Sequence, residues 1–242
     1  MNLRLNTLAK MVDSGSRVAD IGTDHAYLPI ELVKSGKIDY AIASDVAKGP
    51  LDNAKTDIME AGLDKQIETR LGSGLDTVNH ADKIDTVVIA GMGGKLMVDI
   101  LDRAWRNNYH FNTLVLEPNI GEAGVRTWLV NHNYKIVDEK LMAEAGHTYE
   151  LIKAILTDQR NELTEEEIFF GPLIVREKNS VFYQKWQGQL TYNRKLLQNL
   201  NKAKKKDKNR ISEVKNYIEL IEQEINLSLI HISEPTRLRR IS

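Results

Sequence analysis

Arg17-Val18-Ala19-Asp20-Ile21-Gly22-Thr23-Asp24-His25-Ala26-Tyr27-Leu28-Pro29 says more about this chain than any other stretch. A short apolar run with an acid near its end turns over one glycine and re-enters a helix-compatible sequence. The pattern predicts the first strand-to-helix crossover of a doubly wound α/β domain, in which ligands sit beyond the carboxyl ends of the strands. The turn lacks the G-x-G-x-x-G spacing that brings backbone against a pyrophosphate. Carboxylates at Asp20 and Asp24 would also repel a phosphate. A cationic ligand, or one rich in hydroxyl and amine groups, suits this turn better. A plain strand-turn-helix with a solvated acid would use the same residues.

The alternation continues downstream. Strands are expected at Arg17–Ile21, 40–44 (ending on Asp45), Ile67–Leu71, 85–90 and 113–116. Helices are expected at about 26–35, 50–61, 94–105 and 121–130. The Pro50 that opens the second of these sits near the first turn, where its missing N–H costs nothing. The run 85–90 is continuously apolar, as in a strand covered on both faces. Leu3, Leu5, Leu8 and Met11 predict a short amphipathic helix ahead of the first strand. Two further runs, 134–141 and 148–156, are close enough to pair as a hairpin. Five β/α units followed by a strand pair predict a seven-stranded sheet with one antiparallel strand. A dinucleotide-binding fold has six parallel strands instead. The expected class is therefore α/β, Rossmann-like, of the class I methyltransferase kind.

Bulk composition narrows the choices. The 242 residues suit one large domain or a domain with an appendage, and 42% hydrophobic content allows a real core. No apolar run approaches the ~20 residues of a membrane span. The first ten residues lack a signal-peptide core, so the expected location is cytoplasmic. Zero cysteines exclude disulfides, thiolate metal sites and a cysteine nucleophile. His80, His110, His132 and His147 show no metal spacing, and no metal is expected. Residues 1–160 carry 18 Lys and Arg against 23 Asp and Glu, while 161–226 carry 12 against 10. Nucleic-acid binding is not written in total charge and would have to come from local patches.

After about residue 160 the character changes. An acidic stretch and Gly171-Pro172 lead into helical patterns. Ile211, Val214, Ile218, Ile221 and Ile225 recur at 3,4,3,4 spacing, a coiled-coil seam. Tyr183, Trp186, Leu190, Leu197 and Leu200 form a matching stripe. The expected second domain, 161–226, is an antiparallel coiled-coil helical hairpin whose turn is the Lys-rich segment around 204–209. Residues 227–242 have no seam. They resemble an in-frame translation of a transposase adapter used in sequencing libraries, and are expected to be a non-native tail.

In such a fold the strand ends face one crevice. Asp45 can accept both hydroxyls of a ribose, and Gly22 lets backbone approach a ligand without a Cβ. Asp20 can receive an ammonium. Gly72-Ser73-Gly74 lies where an adenine edge needs a partner, and Ala90-Gly91-Met92-Gly93 forms a floor. Together these suit S-adenosylmethionine. Asp24, His25, Leu28 and Val46 complete the expected cofactor set. Each glycine alone serves equally as a tight turn. Arg126 is expected to anchor helix to sheet.

The segment Asp20–Pro29, with Gly91-Met92-Gly93-Gly94 and Glu117-Pro118-Asn119, resembles the bacterial tRNA (adenine-N1)-methyltransferase family acting on adenine 22. Arg126-x-Trp128-Leu129 and Tyr149-Glu150-Leu151-Ile152 add to the likeness, which covers roughly residues 2–226. The resemblance implies a methyltransferase domain followed by a small coiled-coil domain, S-adenosyl-L-methionine as cofactor and tRNA as partner. Ser73 stands where the family more usually has aspartate, and Glu117 where it more usually has glutamine, which would put a charge near the RNA. The implied reaction is in-line methyl transfer to a ring nitrogen. Adenine N1 has its own lone pair, so positioning matters more than a base. The target base must leave its stack. Asn119 is the candidate to hold its Watson–Crick edge. Asp24 or Glu117 could balance the cationic product, and His25 could contact the base or the cofactor's carboxylate. Arg4, Lys10, Lys202, Lys204, Lys205 and Lys206 are the candidate phosphate contacts. Two alternatives stay open: another acceptor with the same cofactor, or a partner-binding protein with vestigial catalysis. Oligomeric state is not legible.

Overall fold

A computed structural model describes residues 2–159, 161–203 and 206–233. Seven strands form one sheet: β1 Arg17–Ile21, β2 Tyr40–Asp45, β3 Ile67–Leu71, β4 Thr86–Gly93, β5 Thr113–Ile120, β6 Tyr134–Glu144 and β7 His147–Leu156. Their order is β3-β2-β1-β4-β5-β7-β6. β7 runs antiparallel to both β5 and β6, and the other five strands pair in parallel. The strand order reverses between β1 and β4, so the crevice above those two strands is the place for a ligand. This is the expected seven-stranded, Rossmann-like sheet.

Alternate strand residues feed two cores. Val18, Ala41, Ala43, Val88 and Val115 face one way. They pack on α1 (Leu3–Met11), α2 (Tyr27–Lys34) and α3 (Lys48–Glu60) through Leu8, Leu28, Leu32 and Ile58. Ile21, Ile42, Ile89, Leu114 and Leu116 face the other way, against Met97 and Leu101 of α4 (Gly94–Arg106) and Val125 and Leu129 of α5 (Glu122–Asn131). Burial on both faces explains why these strands read as unbroken apolar runs.

Two central strands run further than expected, as does β6, which reaches Glu144. β4 continues through Met92 and Gly93, and β5 through Ile120. Met92 pairs with Pro118 and Gly93 with Ile120, across two register shifts. Local sequence there looks like turn, but the partner strand supplies the ladder and bulges absorb the glycines.

The chain divides into two compact units, Met1–Glu177 and Lys178–Ser242. The first extends past the expected boundary at 160, because α6 (Glu165–Phe170) and α7 (Ile174–Glu177) pack on α5 and β6. A buried ion cluster ties them in. Arg126 is fully buried, with Nε 2.8 Å from Glu139 Oε1 and Nη2 2.5 Å from Glu150 Oε2. Its Nη1 donates to the Ile168 carbonyl at 3.3 Å, and Glu139 accepts the Leu173 amide at 2.8 Å. Burial pushes the Glu139 carboxyl up, and the Arg126 charge opposes that rise. Gly171 sits at φ +93, where a Cβ would lie 2.6 Å from Arg126 Nη2. Arg126 thus joins helix to sheet, and the α6–α7 segment as well.

In the second unit α8 (Ser180–Lys202) packs on α9 (Lys208–Ser233). Val214, Ile221 and Ile225 of the seam are buried, with Ile211 and Ile218 half-buried. Phe182 and Trp186 are the buried aromatics of the facing stripe, Tyr183 lying partly out. Arg194 Nη2 reaches Glu222 Oε1 at 2.7 Å across the pair. α9 continues past 226 to Ser233, while residues 234–242 of the expected tail lie outside the described residues.

Removing Arg126 leaves two buried carboxylates without a counter-charge. Arg126→Leu should cost about 3–5 kcal/mol in equilibrium denaturation of the full chain. A loss under ~1 kcal/mol would show that the glutamates are protonated or solvated in the native state.

Candidate active site

The turn after β1 is held by backbone. The Gly22 and Thr23 amides both donate to the Ser44 carbonyl, at 2.8 and 3.0 Å, so the tips of β1 and β2 are laced together. Thr23 Oγ1 accepts the Ala26 amide at 3.1 Å and closes the turn into α2. Gly22 has φ +82, and a Cβ there would meet Met92 Cε at 2.1 Å. The turn therefore needs glycine for its conformation, and the tip of Met92 fills the space a Cβ would take.

Beyond these tips lies a hollow of about 410 Å³. Of the residues expected at the cofactor, Asp20, Gly22, Asp24, His25, Leu28, Ala90 and Gly91 line it. Asp45, Val46, Gly72, Ser73, Gly74, Met92 and Gly93 lie outside its lining but follow along the same sheet edge. Gly72 N donates to the Asp45 carbonyl at 3.0 Å, and Asp45 pairs in register with Leu71. Asp45 Oδ1 accepts the Ala47 amide at 2.7 Å, which fixes the carboxylate and leaves Oδ2 available. Val46 is 72% exposed beside it. Ser73 and Gly74 line a separate small hollow against α4.

Charge in the site is unevenly compensated. Asp20 is buried, and burial pushes its carboxyl up to about 6; the Thr23 hydroxyl works against this and the Asp45 charge adds to it. Asp24 stands out in solvent at the rim. His25 Nδ1 lies 2.8 Å from Asp57 Oδ2, and its ring stacks on Tyr27 at 5.0 Å. The shorter carboxylate contact puts the proton on Nδ1 in neutral His25 and leaves Nε2, 3.8 Å from Asp24 Oδ2, as the acceptor. Asp57 has no signal in the sequence, because the contact spans 32 residues.

Across the crevice, Asn119 Nδ2 donates to the Gly91 carbonyl at 2.7 Å. One N–H of the amide is used by this bond, which sets the orientation of the group and leaves its oxygen and second N–H for further partners. Glu117 is fully buried and does not reach the hollow. Its Oε2 accepts Arg4 Nη1 at 2.5 Å. The Arg4 guanidinium covers Glu117, and the pair turns Arg4 inward to line the hollow. Lys10, Lys202 and Lys206 are exposed, whereas Lys204 and Lys205 lie outside the described residues. Among the described residues there is no group of three His, Asp or Glu placed to hold a metal ion, and no helix is long and apolar enough to cross a membrane.

Residues 18–223 match the family model described as tRNA (adenine(22)-N(1))-methyltransferase. A Bacillus subtilis protein of that name is 32% identical over 232 residues, covering 93% of this chain and 97% of the relative. The solved structure of the B. subtilis m1A22 tRNA methyltransferase superposes with a TM-score of 0.84 at 32% identity, covering 93% of this chain and 98% of that one. An M. capricolum relative, solved in complex with S-adenosyl-homocysteine, gives a TM-score of 0.82 at 33% identity over 94% of this chain and 98% of that one. With its sheet order, its strand-tip hollow and a match spanning both units, this chain belongs to the tRNA (adenine(22)-N(1))-methyltransferase family.

Proposed function

We propose that this chain transfers a methyl group from S-adenosyl-L-methionine to N1 of adenine 22 in tRNA. The observation that carries the reading is a buried Asp20 in a hollow that Gly91 also lines, with the Gly91 carbonyl holding the Asn119 amide. The residues fit the cofactor. Asp20 suits an ammonium, the free oxygen of Asp45 suits ribose hydroxyls, and Val46 with Gly72, Ser73 and Gly74 suits a purine. When bound, the cofactor supplies an electrophilic methyl on a positively charged sulfur.

The protein's own part is to hold and orient. Asn119 Oδ1 accepts from the 6-amino group of the target base, and this bond strengthens as the ring becomes cationic. Pro118 stiffens the strand tip that carries Asn119. Asp24 at the rim is the carboxylate placed to balance the product's charge. His25, its Nδ1–H held by Asp57, offers Nε2 as an acceptor beside it. Lys10, Lys202, Lys204, Lys205 and Lys206 are the proposed phosphate contacts. The tRNA acceptor implies the cytoplasm as the place of action.

Incubation with unmodified tRNA and nucleoside analysis should yield 1-methyladenosine, and tRNA carrying guanine at 22 should yield none. Methylation at another position or of another acceptor would overturn the reading. Asn119→Ala should retain S-adenosyl-homocysteine binding and lose about 10–1,000-fold in kcat, while Asp45→Ala should weaken that binding about 10–100-fold. Equal losses in both properties for both variants would undo the division of labour.

The Asp20 carboxyl gives a pH prediction. Its folded value of about 6 lies above the ordinary 3.8, so in the free protein the stability from its neutral form is full below about 3.8 and is lost as pH rises towards 6. An ammonium needs the ionised form. Calorimetric affinity for S-adenosyl-homocysteine should then level off above about pH 6 and fall by up to about tenfold per pH unit below it. Asp20→Asn should remove this limb. A flat wild-type profile would take Asp20 out of the ammonium site.

Neutralising Lys202, Lys204, Lys205 and Lys206 together should lower the slope of log K for tRNA against log salt by about 3–4. An unchanged slope would leave these lysines as solvated charges.

A further inference from the structure

Arg4 comes from α1, ahead of the first strand, yet it is the one Lys or Arg among the described residues that line the hollow. Three strands fix it there. Glu117 of β5 accepts its Nη1 at 2.5 Å, and Tyr149 of β7 lies under the guanidinium carbon at 5.4 Å. Glu144 of β6 accepts the backbone amides of Leu3 and Arg4 at 2.6 and 3.4 Å, which pins the first turn of α1. No hydrogen bond among the described residues engages Nε or Nη2 of Arg4. The planar fork therefore has one edge occupied and one edge left for a ligand.

Glu117 needs Arg4 as much as it holds it. The carboxylate is fully buried, and Oε1 has no hydrogen-bond partner among the described residues. Burial pushes the Glu117 carboxyl up, while Arg4 and the nearby Gly91 amide pull it down. A neutral pair at this spot would leave Arg4 free to swing out to solvent. Ionised, Glu117 keeps the guanidinium against the wall.

The hollow is then bipolar, with Asp20 contributing an acid and Arg4 a cation. An α-amino acid tail carries the complementary charges, ammonium and carboxylate, two bonds apart. We propose that Arg4 anchors the α-carboxylate of the cofactor's amino-acid tail and that Glu117, which does not reach the hollow, is the positioning residue that aims it. This rests on the cofactor reading above. The N-terminal helix thereby completes a site otherwise built by the strand tips.

The test compares two ligands on the full chain by calorimetry: S-adenosyl-homocysteine and its analogue lacking the carboxylate. Wild type should bind the parent about 10–100-fold tighter than the analogue. Arg4→Gln should lose that preference, its affinity for the analogue unchanged, and Arg4→Lys should recover part of it. Glu117→Gln should reduce the preference with Arg4 still present, a result that a purely structural role does not produce. Thermal unfolding of each variant accompanies the titrations; if Arg4→Gln does not fold, Arg4→Lys and Glu117→Gln decide the matter. Equal loss of both ligands, or unchanged preference, overturns the proposal. Unchanged preference with weakened tRNA binding returns Arg4 to the RNA. Wild type that binds neither ligand fails the cofactor reading itself.

Discussion

Beyond Ala90 and Glu117 the two central strands stay paired, and that pairing leaves no room for a side chain at position 94. A Cβ on Gly94 would stand 2.6 Å from the Gly121 carbonyl and 2.8 Å from that of Ile120. The close approach lets β4 and β5 extend as bulged tips past the edge of the regular sheet. The Asn119 amide and the Glu117–Arg4 pair hang on those tips. Gly91 can present its carbonyl to Asn119, and Glu117 can sit at the end of a buried strand under Arg4, only because neither strand has yet turned away. A β-bulge re-aims side chains at a strand end, and here it brings the Asn119 amide and the Ala90-Gly91 wall of the hollow onto adjacent strands.

Burying carboxylates at strand tips has a cost, and the fold meets it in different ways. Glu139 and Glu150 share Arg126 in a sealed cluster that also locks the α6–α7 segment. Glu117 has Arg4. Asp20 has no cation in contact, and its carboxyl rises to about 6 as a result. Desolvation of an ion is relieved either by a partner or by protonation. The two compensated sites are structural or positioning. The uncompensated one faces the hollow, where a cationic ligand group can serve as the missing partner.

Much of this was legible from local sequence. The turn at Asp20–Pro29, the five β/α units and the final hairpin give the sheet and its ligand edge, because burial on two faces and strand-to-helix punctuation are written within a few residues. The coiled-coil seam is equally local. What escaped depends on partners far away in the chain. Nothing near Gly91-Met92-Gly93 says that Pro118 and Ile120 will hold it in a ladder. Arg4 reads as a surface cation until Glu117, 113 residues on, turns it inward. Asp57 reads as one more helix acid until His25 is found against it. One missed element had left a sign: Thr164 and Glu167 form a capping box, with both reciprocal bonds at 3.1 Å, and mark the start of α6.

Because adenine N1 already carries a lone pair, an enzyme acting on it gains little from a strong base and much from a fixed geometry. The Asn119 amide suits that requirement. Left free, an asparagine side chain could flip and greet either a donor or an acceptor. With Nδ2 bound to the Gly91 carbonyl, the orientation of the amide is set and its oxygen can accept from a 6-amino purine. The bond that fixes the amide comes from the bulged tip of β4, so the proposed holding of the base and the extension of the paired strands share one structural cause.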